Sequence, residues 1–179
     1  MRVMQRWRVK IPVAVVVAAA TATQVAATPP ASLRFASANG APLAMRGKTY
    51  VWCGKWDDGT NVRTLRIQQG SVLAPPWWTF EVLLKLGRRG HTIHFPALVG
   101  RTGTMFAGDR RKNLEASADS ERSRGTVTIL DDVSCRPGTR VRVSVRATLA
   151  SEEAGGPSIR AGGVFAGTVG TTPAPGVQP

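Results

Sequence analysis

Alternation of apolar and polar residues is the dominant regularity along this chain. In residues 77–86 (WWTFEVLLKL), Trp78, Phe80, Val82, Leu84 and Leu86 fall on one side of an extended backbone, and Trp77, Thr79, Glu81, Leu83 and Lys85 on the other. That two-residue period predicts a half-buried strand. Pro75-Pro76 bars a helix from entering it and Gly87-Arg88-Arg89-Gly90 closes it as a turn, so the rest of the chain is expected to pack around this strand. The same period runs through residues 140–149, where Val141, Val143, Val145, Ala147 and Leu149 oppose Arg140, Arg142, Ser144, Arg146 and Thr148. Residues 126–130 alternate around Val127 and Ile129, and residues 159–169 form a glycine-loosened last strand.

Turn residues supply the connections. Residues 48–53 (KTYVWC) place Val51 and Cys53 on a core face and Tyr50 and Trp52 on the other, and Asp57-Asp58-Gly59 folds them back onto residues 61–69 as a hairpin. Residues 77–95, with HTIHF as the returning arm, are expected to form a second hairpin. Residues 100–125 are polar and are assigned mostly to the surface, with a short strand at 104–107 and a strand or helical turn at 113–118. About eight strands without a convincing helix predict an all-β fold: a single antiparallel β-sandwich, with a small β-barrel as the alternative. The division expected is a signal at 1–27, a flexible arm at 28–42, the β-domain at 43–170 and a disordered tail at 171–179.

The first residues bear on compartment. Arg2, Arg6, Arg8 and Lys10 precede a short apolar segment, residues 11–20, followed by small residues at Ala20-Thr21-Ala22 and Val25-Ala26-Ala27. This is the layout of a secretory signal. Thr21, Thr23 and Gln24 interrupt the apolar run short of the roughly 20 residues of a membrane span. Secretion is therefore expected, with no transmembrane span after cleavage; the alternative is retention at the membrane by an uncleaved N-terminal segment. Cys53 and Cys135, both expected in strands, are the only cysteines, and in an oxidising compartment an even pair predicts one disulfide.

Charge changes the picture next. The 24 Lys and Arg against 11 Asp and Glu give +13, which falls to +9 if the four N-terminal cations leave with the signal. Such a chain favours anionic partners, although arginine- and alanine-rich composition also follows from a GC-rich genome. The candidate basic face consists of Arg140, Arg142 and Arg146 on one side of a strand, with Arg88, Arg89, Arg110, Arg111 and Lys112 in loops. Alternate positions about 7 Å apart would suit a repeating anionic chain. A candidate aromatic platform is formed by Trp52, Trp56 and Trp77, a sugar-stacking surface or a protein contact.

Other chemistries find little support. Gly47-Lys48-Thr49 lacks the phosphate-loop spacing and precedes a strand rather than a helix. His91 and His94, the only histidines, sit three apart on a strand and face opposite ways, so they do not chelate one metal together. No serine, histidine and acid arrangement of known spacing surrounds them. No catalytic residue, cofactor or metal is assigned, and specific nucleic-acid recognition is not expected for an exported chain without a docking motif. The order Cys53, Trp77 or Trp78, Cys135 resembles that of immunoglobulin-type domains, which implies a sandwich architecture. The first interval is longer than theirs and Val133 stands where they carry tyrosine, so no functional residue is carried across. The leading expectation is a secreted, non-catalytic binding module for an anionic envelope polymer or an acidic protein surface. Two alternatives remain: a small hydrolase or carbohydrate-active enzyme using His91 or His94 with Glu81 or Asp109, and a protease inhibitor presenting residues 100–125.

Overall fold

The computed structural model describes residues 33–55, 62–71, 74–97 and 102–172. The signal segment, Trp56, and residues 173–179 of the expected tail lie outside them. The described chain is nearly all strand: β1 (Arg34–Ser37), β2 (Pro42–Leu43), β3 (Thr49–Lys55), β4 (Arg63–Ser71), β5 (Ala74–Leu83), β6 (Thr92–Phe95), β7 (Gly103–Asp109), β8 (Leu114–Ser117), β9 (Arg124–Ile129), β10 (Arg140–Ala150) and β11 (Ser158–Thr168). All pair antiparallel in one sheet, in the spatial order β2-β1-β11-β10-β8-β7-β5-β4-β3.

The sheet forks at β10. One edge of this strand carries β11 along its whole length; on the other edge β9 pairs with Val143–Thr148 and β8 with Ala150. One arm continues through β9 to β6, the other through β8, β7, β5 and β4 to β3. The sheet curls into a half-barrel, consistent with the barrel alternative. Its core is built from the alternating inward residues, among them Trp78, Phe80, Val82, Met105, Val127, Val143, Leu149 and Ile159. Two links draw the β3 edge toward the β10–β11 side. Gly170 donates its N–H to the Val51 carbonyl at 2.8 Å, and Cys53 is joined to Cys135, 82 residues away.

The β3–β4 hairpin and the alternation of β10 and β11 follow the sequence. Four expectations are corrected. β5 and β6 are not a hairpin: a 3-10 turn at Leu84–Leu86 carries the chain from one arm to the other, where β6 pairs with β9. The central strand ends at Leu83 for the same reason. Cys135 lies in the β9–β10 loop rather than in a strand. Residues 103–109 and 114–117 are strands, in line with the strand expected at 104–107 and the strand alternative at 113–118, but they lie in the middle of the sheet rather than at a polar surface, with Met105, Ala107, Leu114 and Ala116 buried. Their small and hydroxylated side chains pack tightly while giving a weak hydropathy signal. Exposed residues of the segment are concentrated in the turns at 110–113 and 121–122 rather than in one long loop. From residue 34 onward the expected flexible arm contributes β1 and β2, anchored by buried Phe35 and Leu43.

Candidate functional site

Outward-facing residues of β1, β11, β10 and β9 build a cationic surface. The registers place Arg34 opposite Gly162, Gly162 opposite Arg146, and Arg146 opposite Thr126, all in one row. In the next row Arg160 faces Thr148, which faces Arg124. The four arginines, all exposed, line one shallow groove of about 750 Å3. Gly162 lies between them without a side chain, and a Cβ placed there would meet nothing within 4 Å.

None of these four has a carboxylate partner among the described residues. The ion pairs found there use Arg66 with Glu81, Arg111 with Asp109 and Arg142 with Asp131. Arg160 instead donates to the Ala38 carbonyl at 3.0 Å, and Arg124 to the carbonyls of Glu121 and Ser123. Carbonyl contacts orient a guanidinium without cancelling its charge, so the remaining N–H groups keep the fork geometry that binds carboxylate or phosphate bidentately.

The residues singled out from the sequence divide. Arg140, Arg142 and Arg146 do share the outward face of β10. Arg142 is neutralised, however, donating to both oxygens of Asp131 at 2.9 and 2.6 Å. That hydrogen bond, aided by the charges of Arg142, Arg140 and Arg89, holds the Asp131 carboxyl below the usual range against the opposing effect of burial. Arg89 is anchored here too, its backbone N–H reaching Asp132 at 2.9 Å, and Arg88 is exposed beside it. Arg110, Arg111 and Lys112 form the turn between β7 and β8 on the other arm, so the structure does not join them to the β10 face. Arg34, Arg124 and Arg160 were not singled out. Each is a lone arginine on its own strand, and only the pairing register brings them beside Arg146.

The aromatic platform is overturned. Trp52 and Trp77 are each only 5% exposed, and Trp56 is outside the described residues. Trp52 shares an outward row of the other arm with Arg66, Glu81 and Thr104. This row is polar yet buried: Arg66, 8% exposed, donates to Glu81 at 2.7 Å and to the Lys55 carbonyl at 3.2 Å, and Thr104 donates to Asp119 at 2.7 Å. Burial pushes the Asp119 carboxyl up, against the hydrogen bonds from Thr104 and Ser117. Glu81 is thus committed to Arg66 and Asp109 to Arg111, while His94 is exposed on β6 and His91 half-buried in the preceding turn. No histidine–carboxylate hydrogen bond is found among the described residues, and no group of three His, Cys, Asp or Glu there is placed to hold a metal.

Other clefts open elsewhere among the described residues, two of which differ from the groove in character. One, of about 660 Å3, opens between β1, β3, β4 and β11 over Phe35, Val51, Trp78 and Phe165, with Trp78 donating to Gln69 at 3.0 Å. The other is a smaller notch lined by Glu115, Glu152 and Glu153. No helix among the described residues is long and apolar enough to cross a membrane. A disulfide between distant residues is characteristic of chains that mature in an oxidising compartment. In comparisons with known proteins, no family model, no curated protein and no solved structure matches this chain.

Proposed function

We propose that this protein is an exported, non-catalytic module that holds an anionic polymer of the cell envelope on the outer face of β1, β11, β10 and β9. The observation that carries the reading is the groove of four exposed arginines, Arg34, Arg124, Arg146 and Arg160, without a carboxylate among their described neighbours. Uncompensated cations gathered on one rigid sheet attract a polyanion and are spared the cost of breaking internal ion pairs on binding. Export is supported by the basic and apolar N-terminal residues together with the Cys53–Cys135 bridge.

The reading is tested by retention on isolated envelope polymer. The parent chain is expected to bind at low salt and to elute as ionic strength rises, because released counterions drive the association. A variant with Arg34, Arg124, Arg146 and Arg160 all changed to Ser is expected to wash through at low salt. Retention equal to that of the parent would remove the reading.

A further inference from the structure

The pairing registers turn the four groove arginines into a line. Taken in spatial order, β1 contributes Arg34 in one row, β11 contributes Arg160 in the next, β10 returns to the first row with Arg146, and β9 steps again to the second with Arg124. The zigzag continues onto β6, where exposed His94 lies opposite Thr126 in the first row. Strands about 4.8 Å apart, with alternate residues about 6.8 Å apart along each, put successive Cα atoms about 8 Å apart and advance the line by about 5 Å per strand.

We propose that a linear acidic polysaccharide with one carboxylate per sugar residue crosses this face at right angles to the strands, lies over Gly162, and presents successive carboxylates to Arg34, Arg160, Arg146, Arg124 and His94. This rests on the binding reading above and adds the ligand class and its direction. A path along β10 is interrupted, because Asp131 neutralises Arg142 two turns of the pleat from Arg146. Across the strands no carboxylate intervenes among the described residues. Arg146 and Arg34 flank Gly162, whose missing side chain leaves the trough open. The carbonyls of Ala38, Glu121 and Ser123 hold the Arg160 and Arg124 side chains in place, which lowers the ordering cost of binding. Single-stranded nucleic acid is disfavoured because this face offers no exposed aromatic among the described residues on which bases stack, and a duplex carries a charge every 1.7 Å or so, far denser than the arginine spacing.

The full chain is titrated with fluorescently labelled oligogalacturonates of increasing length, followed by anisotropy. Affinity is expected to climb until the oligomer spans all five positions and then level off. Arg146→Ser and Arg160→Ser are each expected to weaken binding about tenfold and to lower the salt slope by about one. Lys85→Ser, which removes the same charge from the other arm, should do neither. Gly162→Leu keeps the net charge and enters open space at a backbone angle that any residue adopts, so it should melt like the parent yet lose binding.

If Gly162→Leu folds and binds like the parent while the arginine variants lose affinity, the seating across Gly162 is wrong and the basic face itself still stands. If every variant binds like the parent, both readings fall. An oligonucleotide or polyphosphate of equal charge that binds as tightly as the oligouronate would overturn the ligand class.

Discussion

Asp131 and Asp119 are both partly buried carboxylates, but their partners give them opposite signs. Asp131 takes two hydrogen bonds from Arg142, and its lowered pKa means that the folded state favours the charged form. Its contribution is present above the unfolded value near 3.9 and lost as pH falls through the lower folded value. Asp131→Asn is therefore expected to be less stable than the parent at neutral pH, with the gap closing in strong acid, as measured by denaturant melts at several pH values. Asp119 is raised by burial, so its charged form costs stability, and that cost disappears as pH falls below about 4. Asp119→Asn keeps an acceptor for the Thr104 hydroxyl and should match or exceed the parent at neutral pH in the same melts. A third residue-scale case is Glu81. Changing it alone to Leu removes the carboxylate that accepts from the buried Arg66 Nε and should cost about 3 kcal/mol, whereas Glu81→Leu with Arg66→Met should recover most of it. A loss in the double variant equal to the sum of the Glu81→Leu and Arg66→Met losses would show that the pair is not coupled.

At the scale of elements, legibility followed side-chain chemistry. β10 was readable throughout because branched residues alternate with arginine and hydroxyl residues across eleven positions. β7 and β8 show as short strands in the sequence, but their place at the centre of one arm does not, since Gly103, Thr104, Ala107, Gly108, Ala116 and Ser117 are buried for close packing rather than for oiliness. β5 and β6 looked like a hairpin because a glycine turn separates two apolar runs. What decides the pairing is the short helical turn at Leu84–Leu86, which redirects the chain to β9. Gly125 carries the tightest contact of this arm. It sits at φ +124° and a Cβ would come within 2.2 Å of the Arg146 carbonyl oxygen. Gly125→Ala is expected to pry β9 from β10 and to lower the unfolding midpoint well beyond an ordinary surface change, in contrast to Gly162→Leu two strands' width away. Normal stability in Gly125→Ala would mean that the two strands separate there without loss.

For the whole molecule, the single covalent link works with the fold rather than inside it. The bridge joins the β3 edge to the β9–β10 loop, next to the Gly170–Val51 hydrogen bond, and so ties that edge of the curled sheet back to its β10–β11 side. Closing a loop of this length should stabilise the fold by about 4 kcal/mol, read as a drop in the urea midpoint when Cys53 and Cys135 are both changed to Ser. Charge is distributed unevenly on the same scale: arginines collect in the β1–β9 groove, while Glu115, Glu152 and Glu153 line a separate notch.

Composition and alternation by themselves determined that this chain is an all-β protein with an interior of alternate side chains, a surplus of arginine and one possible disulfide. These are local properties, because each strand chooses its inward face from its own neighbours two residues away. Only the tertiary structure decided which strands are adjacent, that Trp52 and Trp77 are hidden, that Arg142 is neutralised, and that Arg34, Arg124, Arg146 and Arg160 meet. Those outcomes depend on pairing register between residues up to 128 apart in number, from Arg34 to Gly162, a relation that no stretch of sequence contains.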